Sequence, residues 1–233
     1  MGELILCSHP IAAMPYYIDN ISLNVYSLEE LCYYIENHLY LIEADFMSEE
    51  LCLWIGQELD EKDLAQSLRS VLLGNGSLSD FTELILRSCG YCSEDTIRHI
   101  RSVLLDMQNK SVFECSKIRA DRYMESEKYV KAIHEYRKLL GMEEECKKNP
   151  VLEGNIRHNL GTACAELFLF DEAAANFLNA YRLNQNRESL AACMAACRLA
   201  KKTDILKKYK EEFHVSDEAF KSMSDQWNSV LKS

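Results

Sequence analysis

Two blocks of this chain carry the same kinds of residue at the same offsets. The first is KIRADRYMESEKYVKAIHEYRKLL, Lys117 to Leu140, and the second is HNLGTACAELFLFDEAAANFLNAY, His158 to Tyr181. Aligned on Ala132 and Ala173, each has a small residue twelve places earlier, Ala120 and Gly161. Each also has an aromatic three places earlier (Tyr129, Phe170) and another four places later (Tyr136, Phe177). Every offset has a packing reason. The small residue lets two helices of a hairpin approach closely. The alanine sits where the neighbouring helix crosses, and the aromatics fill the gap between hairpins. A chain with this pattern can fold only as stacked helices in that region.

The pattern resembles the tetratricopeptide repeat family, over residues 112–213. The resemblance implies a stack of helical hairpins whose groove holds a peptide or partner protein. Members that clamp a chaperone's C-terminal carboxylate use Lys and Asn from the first hairpin, Asn from the second, and Lys and Arg from the third. Lys117 and Asn159 stand at two of these offsets. Asp121 stands at the first-hairpin asparagine offset. Ser189 with Cys193, or Leu190 with Met194, stand at the third-hairpin basic offsets. The resemblance therefore implies a groove without that clamp. The groove it implies passes through Lys117, Asp121, His158, Asn159 and Thr162. It grades from charged (Lys117, Asp121, Glu125) to apolar (Ala192, Cys193, Ala196, Leu199), where an apolar helix or strand would fit.

The two anchor alanines are 41 apart, against a family period of about 34. The excess falls in Gly141–Gly154, as a lengthened helix or a loop. A third, degenerate hairpin is expected over Arg187–Ala200 and Thr203–Phe213. A capping helix is expected over 216–231, with a stripe of Phe220, Met223, Trp227, Val230 and Leu231.

Outside the repeats, breakers are scarce. Pro10, Pro15 and Pro150 are the only prolines, and there are eight glycines. With abundant Leu, Glu, Lys and Ala this predicts an all-α fold, a helical hairpin bundle or solenoid ending in the repeat-like stack. Two regions are expected, an acidic helical one over 1–110 and the hairpins over 111–233. The one patch with strand character is 3–26. There Leu4-Ile5-Leu6 is apolar, Ile21, Leu23 and Val25 alternate with polar residues, and Asp19-Asn20 can turn Tyr16–Ile18 back. Capping residues then mark five helices: Ser27, Ser48, Asp60 or Asp63, Ser77 or Ser79, and Ser93. Gly74-Asn75-Gly76 and Cys89-Gly90 supply stops. Short connections predict that successive helices pack on one another.

Net charge is −11, and residues 1–110 carry 18 acidic against 6 basic side chains. Such a surface repels nucleic acid and anionic membrane. It serves solubility, or recruits a basic partner. No apolar run long enough to span a membrane and no signal-like segment is present, so a cytoplasmic protein is expected. The ten cysteines are scattered, mostly inside helical patterns (Cys32, Cys52, Cys164, Cys193, Cys197), where they serve as small buried hydrophobes.

Cys89-Gly90-Tyr91-Cys92 carries the most chemistry. A C-x-x-C before a helix N-terminus resembles the tetrad of thiol-disulfide oxidoreductases, where the dipole favours a thiolate. Here the tetrad follows a helix, whereas in that family it follows a buried strand. An ordinary interhelical turn with unexceptional thiols is the plainer reading. A zinc site joining Cys89 and Cys92 to Cys193 and Cys197 would need ligands 101 residues apart. The six histidines form no H-E-x-x-H pair, and there is no phosphate loop or nucleophile elbow. The reading is a non-catalytic protein–protein interaction module, an adaptor, scaffold or assembly factor, with no cofactor and no metal. A redox protein using Cys89 and Cys92 is the alternative, and a peptide-sensing regulator a further one.

Overall fold

The computed structural model describes residues 9–216, 218 and 220. The described residues are all-α, with twelve helices and one two-stranded sheet. Leu4–Leu6 and the greater part of the expected capping helix lie outside them. The chain divides into two compact units at Ser111/Val112. No helix among the described residues is long and apolar enough to cross a membrane.

The first unit opens with strands β1 (Tyr16–Ile18) and β2 (Leu23–Val25), antiparallel with Ile18 opposite Leu23. Ile21 is not in the strand, as its alternation with Leu23 and Val25 suggested. It lies buried in a 3-10 turn, Asp19–Ile21, closed by Ser22 in the left-handed region. The cause is Asn20, whose amide donates to Tyr34 Oη at 2.7 Å and to the Leu41 carbonyl at 2.8 Å, pinning the turn.

Five helices follow: α1 (Leu28–Asn37), α2 (Glu49–Gln57), α3 (Lys62–Leu73), α4 (Leu78–Cys89) and α5 (Glu94–Gln108). Ser27, Ser48, Ser77 and Ser93 each accept a backbone N–H of the first turn, the role their position predicts. Ser77 and Asp80 complete a capping box. In α1 Glu30 accepts from Tyr26 N, just before the cap residue, at 2.6 Å. The buried stripes are Leu28, Leu31, Cys32 and Ile35; Leu51, Cys52 and Ile55; Leu64 and Leu68; Phe81, Ile85 and Leu86; and Ile97, Ile100 and Leu104. Consecutive helices from α2 to α5 pack on one another, but α1 finds its main helical partner in α4.

The second unit contains α6 (Val112–Glu125), α7 (Tyr129–Gly141), α8 (Glu143–Lys148), α9 (Pro150–Glu166), α10 (Phe170–Asn184), α11 (Arg187–Leu199) and α12 (Thr203–Glu212). Helices pack as the pairs α6–α7, α9–α10 and α11–α12, with α7 on α9 and α10 on α11. The excess residues between the repeats form α8 and the start of α9, where Asn149 caps and Pro150 occupies the first turn.

The three hairpin turns share one backbone geometry. Glu127, Phe168 and Lys201 are left-handed, with φ of 57°, 61° and 58°. The next N–H reaches back five residues in each: Lys128 to Tyr123, Leu169 to Cys164 and Lys202 to Cys197. This Schellman-type turn satisfies the last carbonyls of the leading helix and reverses the chain. Between α2 and α3, Asp60 is also left-handed, but Glu61 N reaches back six residues, to the Ile55 carbonyl, in a turn one residue wider. Five residues after the left-handed position stand Ala65, Ala132 and Ala173, all buried. The α2–α3 hairpin therefore shares the left-handed residue and the buried alanine of the recognised ones, with a wider turn.

The repeat aromatics are not equally buried. Tyr136 and Phe177 are fully buried, but Tyr129 and Phe170 are only half-buried. Both are the first residue of their helix, and each lies by the next hairpin, Tyr129 near Glu166 and Phe170 lining one pocket with Ala200.

Candidate functional site: a hydrogen-bonded polar face on the hairpin stack

All five candidate groove residues lie on leading helices of the second unit's hairpins, and all are half-buried. Lys117 and Asp121, one turn apart on α6, form an ion pair. Asp121 Oδ1 accepts from Tyr136 Oη of α7 at 2.7 Å and from Asn159 Nδ2 of α9 at 3.3 Å. The same Asn159 Nδ2 lies 3.3 Å from Tyr136 Oη. On the adjoining turn of α9, His158 Nδ1 is 2.9 Å from Ser189 Oγ of α11. Thr162 Oγ1 donates to the His158 carbonyl at 3.2 Å. Side chains from α6, α7, α9 and α11 are thus tied edge to edge by polar bonds.

Lys117, Tyr136 and Asn159 converge on Asp121, so its charge is compensated within the face. The expected apolar end needs correction. Ala192, Cys193 and Ala196 are buried core, and only Leu199 is exposed. Small residues on α11 are consumed by packing against α10 and α12, leaving no open apolar trough among the described residues.

Two contributors were not legible as site residues. Tyr136 occupies an aromatic core offset, and its ring is buried there. The hydroxyl at the ring's far end reaches the polar face, as tyrosine's shape allows. Ser189 stood only as a residue that is not basic. It is fully buried and is the partner of His158.

Burial and the bond to Asp121 both push the Tyr136 phenol well above its ordinary range, so it stays a donor at all physiological pH. Tyr136→Phe removes the shortest bond to the Asp121 carboxylate without removing the ring. The expected cost is about 1–2 kcal/mol, seen as a lower urea midpoint.

Burial pushes His158 below its ordinary range, with Glu188 opposing weakly, and its ring lies 5.2 Å from that of Phe177. An imidazole in the unfolded chain takes up a proton near pH ~6.5, whereas folded His158 does so only at lower pH. Stability should therefore fall as pH drops through ~6.5 and level off below the folded value, because the unfolded state binds the extra proton. His158→Gln should flatten that part of a plot of urea midpoint against pH.

In the first unit, Cys89 ends α4, Gly90 is left-handed with φ 66°, and Ser93 caps α5. The C-x-x-C is thus an interhelical turn. Its thiols are not alike. Burial raises Cys92 to about 11. Cys89 is lowered, chiefly by a hydrogen bond with the thiol of Cys32 on α1. The partner of Cys89 is therefore Cys32, with Cys92 a more distant neighbour.

Comparison with protein-family models, with curated proteins and with solved structures finds no match.

Proposed function

We propose that this chain is a non-catalytic protein–protein interaction module that holds an extended segment of a partner against the polar face of its C-terminal hairpins. The observation that supports it most is Asn159. Its Nδ2 is held by Asp121 and Tyr136, while among the described residues its Oδ1 accepts no hydrogen bond. A half-buried amide oriented in this way offers an acceptor to a peptide N–H at little ordering cost. The neighbouring Thr162 and Lys117 add a hydroxyl and an ammonium on the same helix faces.

The resemblance to tetratricopeptide repeats supports the same reading, and the common turn geometry lends it weight. That geometry sets the register of the third hairpin, since Lys201 follows Phe168 by 33 residues. The clamp's basic offsets then fall on Glu188 and Ala192, one residue before the first of the registers weighed from the sequence. Neither residue is basic, so a free carboxylate is a poor ligand. An internal peptide segment suits the face better.

The test is capture of partners from extract of the native source by the purified chain, compared with Asn159→Ala/His158→Ala and with Thr162→Val. His158 and Asn159 also bond within the unit, so helicity is matched by circular dichroism first. Each lost polar contact should weaken binding by about 1–2 kcal/mol, roughly tenfold for the pair or more. Capture should survive about 0.5 M NaCl, where the Debye length is only about 4 Å. Partners that ignore the double variant and vanish in salt would move the binding surface to the acidic residues 1–110.

A further inference from the structure

Packing of α1 on α4 gathers groups that are far apart in the sequence. His9, Glu29 and Cys89 each offer one ligand atom, and these atoms lie within 4.8 Å of one another. The Cys32 thiol, one turn along α1 from Glu29, stands outside that group of three but neighbours Cys89 closely enough to shift its titration, and it lies 3.8 Å from the Ile85 carbonyl of α4. Glu29 and Cys32 are buried, and Cys89 and His9 are half-buried. His9 is held in place twice, since its N–H and its Nδ1 lie 3.1 and 2.9 Å from Glu29 Oε1.

We propose that His9, Glu29, Cys32 and Cys89 form a binding site for a divalent metal ion of the zinc type. The donor set is one imidazole nitrogen, one carboxylate oxygen and two sulfurs, a mixture that suits a borderline-soft ion with tetrahedral preference. Ligand atoms around zinc stand roughly 3.3–3.8 Å apart. His9 Nδ1 and Glu29 Oε1, 2.9 Å apart, would open slightly, and the widest separation among the three groups, at most 4.8 Å, would close by about an ångström, both within reach of side-chain rotation. Binding would release the thiol protons of Cys32 and Cys89 to solvent and displace the proton held between His9 Nδ1 and Glu29 Oε1. His9 would keep a proton on Nε2. Glu61 Oε1, 4.0 Å from that atom, is placed to accept it. A metal-bound imidazole oriented by an outer carboxylate is a standard supporting arrangement.

Charge favours the same conclusion. The charged groups acting on these thiols are Glu29 and, on Cys89, His9, in a region of 18 acidic and 6 basic residues. A divalent cation would offset a buried carboxylate and two thiolates together. With four protein ligands the ion would be structural. It would staple the segment before β1 to α1 and α4, an arrangement unrelated to the Cys193 and Cys197 set weighed from the sequence.

The test uses the full chain, reduced and freed of metal by a chelator, and titrated with cobalt(II). One equivalent should bind, with a thiolate-to-cobalt charge-transfer band and d–d bands of tetrahedral intensity, both bleached by zinc. Cys89→Ser should weaken the charge-transfer band, Cys32→Ser/Cys89→Ser should abolish it, and Cys193→Ser should leave it. Glu29→Gln and His9→Gln should weaken zinc binding at least about tenfold, the loss seen even for groups that only support a ligand. A second readout needs no variant. Zinc should slow alkylation of Cys32 and Cys89 in the wild-type chain, read by mass spectrometry, and leave Cys115 unaffected. A wild-type chain that binds no cobalt, a charge-transfer band that persists in Cys32→Ser/Cys89→Ser, or zinc that gives Cys89 no protection would each overturn the proposal.

Discussion

Gly161→Val is expected to unfold the second unit, with a cost of about 3 kcal/mol or more and a visible loss of helicity on mild heating. Even the first atom of a side chain there would lie 2.8 Å from two carbons of the Phe177 ring. That ring cannot move aside, because it is 1% exposed and has His158 against it. Ala132→Trp and Ala173→Trp should behave alike, since both alanines are wholly buried. Overpacking a filled helix crossing typically costs about 1–3 kcal/mol, and more where the backbone itself must part. Gly141→Ala is the control. A Cβ at Gly141 meets nothing within 4 Å, and alanine is the better helix former by roughly 0.5–1 kcal/mol. That variant should melt at or slightly above wild type. Wild-type melting for Gly161→Val and both tryptophan variants would mean that the repeat register is wrong.

The register was readable because close approach of two helices leaves a strict trace: a small residue where backbones meet and a large one opposite. Ala120, Gly161, Ala132 and Ala173 carry that trace, and all four are buried. The α2–α3 hairpin was missed although its left-handed Asp60 and its Ala65 stand at the same offset. Measured from Ala65, the aromatic offsets fall on Lys62 and Arg69, so the backbone repeats where the side chains do not. Gly56, whose added Cβ would stand 3.0 Å from that of Ala65, meets the same close approach from a different offset.

The polar face was legible in part. Helical spacing placed Lys117 with Asp121 and His158 with Thr162. It could not show that a core tyrosine turns its hydroxyl onto Asp121, because ring burial and hydroxyl destination are separate questions. The His9, Glu29, Cys32 and Cys89 group had no local signature at all. Only Glu29 and Cys32 share a helix face. The other two arrive by α1 pairing with α4 and by the segment before β1 folding back, which the short connections did not suggest.

The first unit should prove equally intolerant of a cavity. Phe81 of α4 is fully buried and meets Phe46 edge-on, with ring centroids 6.4 Å apart. Phe46 in turn lies 6.0 Å from Tyr34 of α1, whose hydroxyl receives the Asn20 amide. Removing the Phe81 ring would therefore unsupport three elements: α4, the 3-10 turn Ala44–Phe46 and the hairpin turn held by Asn20. Phe81→Ala is expected to cost about 3–5 kcal/mol, a large part of the roughly 5–15 kcal/mol that holds a typical domain together. Phe81→Leu keeps much of the volume and should cost less than about 1.5 kcal/mol. The difference between the two isolates the cavity, because both lose the aromatic edge contact. Urea denaturation followed by circular dichroism gives both numbers. Equal midpoints for the two variants would mean that the site collapses freely around the missing ring, and that the Tyr34, Phe46 and Phe81 cluster is not the packed centre of this unit.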